Sequence, residues 1–145
     1  MKKILLLFTF LVVNFSFGQE IISQELYEGV ISNDLKVSFY LKMEEDGCPR
    51  TFVSAIYKYD SNKENNWILL DTTFSEEKQQ FTFVEHYNTG LLLLKRSTGQ
   101  LNGVWISSDG KKQLPVKLSK VKVSKEKVEK LENTLEEELM SAYDC

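Results

Sequence analysis

From residue 26 to residue 119 the chain alternates apolar and polar side chains with a period of two, broken by short turn signals. A period of two sends successive side chains to opposite faces of a pleated strand, so each segment has one face to bury against others of its kind. The clearest segment is 35–43, where Leu35, Val37, Phe39, Leu41 and Met43 oppose Lys36, Ser38, Tyr40 and Lys42. The same reading gives strands at 26–31, 51–59, 67–72, 80–87, 91–95, 101–107 and 114–119. Asn33-Asp34, Asn88-Thr89-Gly90, Ser97-Thr98-Gly99 and Asp109-Gly110 supply tight turns between them. Eight short strands in succession predict a mainly β fold, an antiparallel meander forming a barrel or a strongly curved sheet.

The period changes once. Over 124–143 the apolar positions Val128, Leu131, Leu135, Leu139 and Ala142 fall on a single helical stripe. Ser124 is placed to cap the helix, and Glu126 precedes Lys130 by four residues in the favourable order. This predicts one C-terminal helix packed on the sheet through its stripe. The other use for such a stripe is a face for a partner in assembly. Glu136-Glu137-Glu138 lies toward the helix C-terminus, the unfavourable end of the dipole for acidic groups.

The first 18 residues have a different character. Met1-Lys2-Lys3 is followed by an apolar run at 4–13 and by small residues at Ser16 and Gly18. A short basic start, a run too short to span a bilayer and small side chains before the cut read as a cleavable secretion signal. Cleavage between Gly18 and Gln19 leaves 127 residues, enough for one domain with one core. The residue right after the cut is not a cysteine, so no lipid anchor is expected. The mature chain has 16 basic and 21 acidic side chains, a net charge near −5. That balance argues against nucleic-acid partners and anionic membranes, which select basic patches. Export to the periplasm or beyond it is the expectation, as a monomer or weak oligomer.

The only cysteines are Cys48 and Cys145. Export would put both in a disulfide-permissive compartment. A bridge between them would close a loop of about 100 residues, for which chain entropy suggests roughly 4–5 kcal/mol. A free thiol and an intermolecular bridge are the alternatives. Two cysteines and one histidine cannot build a zinc site from soft ligands.

Signals for catalysis are sparse. His86 is the only histidine, on the face of its strand shared with Gln80 and Thr82, and no acid or nucleophile is fixed beside it by sequence. Glu44-Glu45-Asp46 lacks the ligand spacing of a calcium loop, and no phosphate-binding glycine loop or nucleophile elbow occurs. No metal and no cofactor is expected. Glu85 is the exception to the pattern, since it shares its face with Phe81, Phe83 and Tyr87, which should point inward. A buried carboxyl needs a partner, and Lys95, Arg96 or a tyrosine hydroxyl are the candidates. Arg96 is one of only two arginines and carries the planar fork suited to carboxylates.

The aromatic residues give the best functional hint. Tyr57, Tyr59, Trp67, Phe81, Phe83, Tyr87 and Trp105 fall along the strands, as a packed core or as the wall of a binding site with polar tips. Gly103-Val104-Trp105 resembles the Gly-x-Trp strands of lipocalin-like and avidin-like barrels. Tyr57-x-Tyr59, Glu85 and Leu101-x-Gly103-x-Trp105 together resemble small exported bacterial β-meander proteins of unassigned role. Here the Gly-x-Trp lies in the seventh strand and not the first, so no ligand residues follow from the likeness. The resulting expectation is an exported, non-enzymatic binding module, inhibitor-like in style, for a protein or small ligand. Its candidate contact residues are Tyr57, Tyr59, Trp67, Glu85, Tyr87, Arg96 and Trp105. Assembly through the helix stripe is the second expectation, and a hydrolase with an unrecognised site is the third.

Overall fold

The computed structural model of the chain describes residues 20–45, 50–62, 64 and 66–143. The expected leader at 1–18, the expected cut between Gly18 and Gln19, and both Cys48 and Cys145 lie outside the described residues. Eight strands follow in order: β1 (Glu20–Ile31), β2 (Leu35–Glu45), β3 (Thr51–Tyr59), β4 (Ile68–Ser75), β5 (Gln80–Glu85), β6 (Gly90–Ser97), β7 (Gln100–Ser107) and β8 (Gln113–Val121). Each pairs antiparallel with the next, and β8 returns to β1, closing the barrel. The closing ladder runs from Leu26↔Val121 to Ile31↔Val116. A helix, α1 (Lys125–Tyr143), completes the chain.

The inward set follows the alternation. Tyr27, Val37, Phe39, Leu41, Ala55, Tyr57, Leu70, Phe81, Phe83, Leu92, Leu94, Leu101, Val116 and Leu118 form one buried core inside the barrel. Rings occupy its middle: Phe39 meets Phe83 edge-on at 5.0 Å, and Phe81 stacks on Phe83 at 5.3 Å. An eight-stranded barrel is just wide enough for side chains to fill, and this one is filled.

A second core lies on the outer wall. Leu26, Tyr40, Ile56 and Leu69, from β1 to β4, meet Leu131 and Leu135 of α1, with Leu139 and Ala142 packed against them. The helix stripe is thus used on the barrel. Burying each leucine contributes about 1.5–3 kcal/mol. Ser124 caps α1, its Oγ accepting from the Lys127 amide at 3.3 Å, and Lys130 pairs with Glu126 at 2.9 Å. Glu132 pins the helix through three donors: Gln24 Nε2 at 3.0 Å, Tyr40 Oη at 2.9 Å, and Lys42 Nζ.

Most strands run a few residues past the pattern, β4 to Ser75 among them, and two boundaries bear on the candidate residues. β1 begins at Glu20, six residues before the alternation becomes legible. β5 stops at Glu85 because the chain turns there: the Asn88 amide donates to the Glu85 carbonyl at 2.6 Å, and Asn88 takes φ 54°. Tyr87 therefore does not point inward with Phe81 and Phe83; it is 84% exposed.

Candidate functional site

Four of the candidate residues meet at one end of the barrel. Glu85 is 4% exposed. One carboxyl oxygen accepts from Tyr57 Oη at 2.5 Å and from Trp105 Nε1 at 2.9 Å, and the other accepts from Thr89 Oγ1. Tyr57 Oη also meets Tyr59 Oη at 3.1 Å, and the two rings pack edge-on at 5.4 Å. Burial first, then the Glu85 contact, drives the Tyr57 hydroxyl far above the ordinary tyrosine range. Among the sequence candidates, a tyrosine hydroxyl is the partner of Glu85. The indole also reaches it, because Gly90, on the neighbouring strand, leaves room for the ring: a Cβ there would lie 2.7 Å from Trp105 Nε1. Gly103 serves a different purpose, since a Cβ there would strike the Leu93 carbonyl oxygen of the adjacent strand at 1.9 Å. Both carboxyl oxygens are thus engaged within the cluster at this end of the barrel.

Arg96 closes the other end. Its Nη2 donates to Glu25 at 2.5 Å, its Nη1 lies 3.2 Å from the Met43 sulfur, and the guanidinium sits 5.7 Å from the Phe81 ring centroid. Glu25 also accepts from Tyr27 Oη at 2.6 Å and from Lys120 Nζ at 2.7 Å. Burial alone would raise the Glu25 carboxyl, but these donors hold it below its ordinary value. Burial and the Glu25 contact push Tyr27 up to about 12. Arg96 and Glu85 do not meet.

The remaining candidates, Trp67 and Tyr87, come together outside the barrel. They line a pocket of ≈ 100 Å³ between β4, the turn after β5 and the last turns of α1, with His86, Glu138, Ser141 and Ala142. The His86 ring stands edge-on to Tyr87 at 5.0 Å and to Tyr143 at 5.5 Å. Its Nδ1 lies 3.6 Å from an Asp71 oxygen, beyond hydrogen-bond length, while Asp71 accepts from Tyr143 Oη at 2.8 Å. Among the described residues Nδ1 of His86 has no hydrogen-bond partner.

Sequence reasoning missed one further feature. β8 leaves the sheet at Val121, opposite Leu26, whereas β1 runs on to Glu20 beside β2 alone. Among the described residues nothing pairs with the other edge of residues 20–25. That edge overlooks a groove of ≈ 620 Å³ lined by Ile21, Ile22, Ser23, Val123 and Val128. A bulge at Ile21/Ser23 interrupts the ladder, and the two isoleucines are 51% and 50% exposed. The available signal was the adjacent pair Ile21-Ile22 just past the expected cleavage point, which alternation does not register.

Among the described residues no three His, Cys, Asp or Glu side chains are grouped to hold a metal ion, and no helix is long and apolar enough to cross a membrane. Comparison with protein-family models, curated proteins and solved structures finds no match to this chain.

Proposed function

We propose that the chain is an exported, non-enzymatic binding protein that recognises an extended stretch of another polypeptide by adding it as a strand to the open edge of β1. The observation that carries this reading is the unpaired edge of residues 20–25 beside the half-exposed Ile21 and Ile22. A row of free backbone donors and acceptors is complemented by another strand, which supplies affinity, while alternate side chains of the incoming strand would meet the apolar groove. The filled barrel favours recognition on the outer surface over a ligand held inside. A second copy of the chain fits poorly. Full antiparallel self-pairing of the six residues would set Glu20 opposite Glu25, a like-charge pair, on both sides.

The export expectation belongs to the same proposal. Cleavage after Gly18 would leave β1 one residue from the new terminus, so the edge strand would carry no long preceding segment. A Cys48–Cys145 bridge would tie the chain end beyond α1 to the loop between β2 and β3. Intact-mass measurement of the secreted protein without reductant should read two hydrogens fewer than the dithiol mass.

The test uses the mature protein and peptides selected against it from a random phage-displayed library. Bound peptide should slow amide exchange at alternate positions of residues 20–25. Ile21→Lys and Ile22→Lys, at the two half-exposed apolar side chains beside the edge, should each weaken binding while leaving thermal unfolding nearly unchanged. Peptides that bind these variants as well as the parent, or that protect another surface, would refute the proposal.

A further inference from the structure

The pocket behind Tyr87 carries an inference independent of the β1 edge. It is lined by the aromatic residues Trp67, His86 and Tyr87, by Ile68 and Leu69 of β4, and by the last part of α1 with Glu138. Aromatic faces are negative, and they attract a cation placed over them. Trp67 already takes one in this way: the Lys58 ammonium lies 5.1 Å from its ring centroid. The helix end adds to the same field, because the C-terminal carbonyls carry the negative pole of the dipole and the last turn holds no basic residue.

The carboxylates complete the site. Among the described residues Glu138 has no hydrogen bond and no ion pair, although it lines the pocket. Burial, then the neighbouring Glu137, pushes its carboxyl above the ordinary value. Asp71, which accepts from Tyr143 and lies 3.6 Å from His86, adds a second acidic group close by. Among the described residues Lys58 is the one cation set over an aromatic ring of this pocket.

From these groups we infer that the Trp67–Tyr87–Glu138 pocket is a binding site for a small organic ammonium ion. The volume sets the size of the ligand. At ≈ 100 Å³ the pocket holds about three waters' worth of liquid, room for an ammonium head group with its chain directed outward, and too little for a sugar or a base. A methylated head group fits better than a bare metal ion, since it fills apolar walls and sheds its hydration more easily. The site takes a molecule, and the β1 edge takes a strand; the two lie on different parts of the barrel wall and act separately.

Choline serves as the probe, and 3,3-dimethylbutan-1-ol as its uncharged counterpart of nearly the same shape. Titration of the labelled mature protein, followed by amide and indole NMR shifts, should show choline binding in the millimolar range with the shifts centred on Trp67, His86 and Tyr87. The neutral alcohol should bind about tenfold more weakly, the size of a partly desolvated cation–π contribution. Glu138→Gln and Trp67→Leu should each weaken choline by about tenfold. Tyr87→Ala should weaken it as well, and because Tyr87 is 84% exposed that variant tests the site without disturbing the fold. Equal binding of choline and the alcohol would overturn the inference. So would undiminished choline binding by Tyr87→Ala and Glu138→Gln, or a response to phosphatidylcholine vesicles with none to free choline.

Discussion

The indole of Trp105 lies directly over Gly90, with its Nε1 turned to Glu85 at 2.9 Å. Gly90 pairs with Ser107 on the strand that carries Trp105, and any side chain there would occupy the space of the ring. Gly90→Ala should therefore displace the indole and break its bond to Glu85. Overpacking of this kind costs about 1–3 kcal/mol. Chemical denaturation measures the loss, and Trp105 emission in a Trp67→Phe background reports the displaced ring. Unchanged emission would show that the ring does not depend on Gly90.

Tyr57 and Tyr59 share one polar cluster but should differ in weight. Removing the Tyr57 hydroxyl leaves a nearly buried carboxyl short of a donor, a loss of about 1–3 kcal/mol. Tyr59 bonds Tyr57 and does not reach Glu85, so Tyr59→Phe should cost less. Equilibrium unfolding of the two variants in urea orders them, and the reverse order would remove Glu85 from the centre of the cluster.

Acid should weaken the fold through Glu25 and Glu132. Burial opposes ionisation in both, yet donors from Lys120, Tyr27 and Arg96 around Glu25, and from Lys42, Tyr40 and Gln24 around Glu132, hold both carboxyls below the ordinary 4.5. A lowered folded value means that the contribution is complete above pH 4.5 and is lost as pH falls through the folded values. Melting temperatures measured across that range should decline less steeply in Glu25→Gln and Glu132→Gln than in the parent. Parallel profiles would place the acid sensitivity elsewhere.

The helix should be separable from the barrel. Leu135 is buried against Leu26, Tyr40, Ile56 and Leu69, and Leu135→Ala should cost about 2–5 kcal/mol. If α1 docks as a unit, amide exchange should accelerate along the helix more than in β5–β7, which it does not cover. Uniform acceleration would mean that helix and barrel unfold together.

The strand series and the helix were legible because each carries its own period, and the turns after Ser97 and Asp109 mark their ends with glycine. Closure was not legible, since Leu35 to Met43 alternates in the same way on an open sheet and on a barrel. Tyr40 shows the limit of reading one strand alone. It sits among Lys36, Ser38 and Lys42 on the outer face, and only the arrival of α1 buries it. Glu85 could be read as inward-facing, but its partners Thr89 and Trp105 come from a turn and from a distant strand that the sequence does not bring together. Tyr87 was misplaced by continuing an alternation past the turn that Asn88 makes.

The order of the strands has a consequence for how the barrel forms and opens. Every ladder but one joins neighbours in sequence, and the exception is the β1–β8 seam of six residue pairs. Hairpins can zip in succession at little entropic cost, whereas the seam must bring together segments about 90 residues apart, so sealing it is the slow event. A barrel that unlatches there lengthens the free edge of β1 beyond residue 25, so transient opening and capture of a strand would draw on one motion.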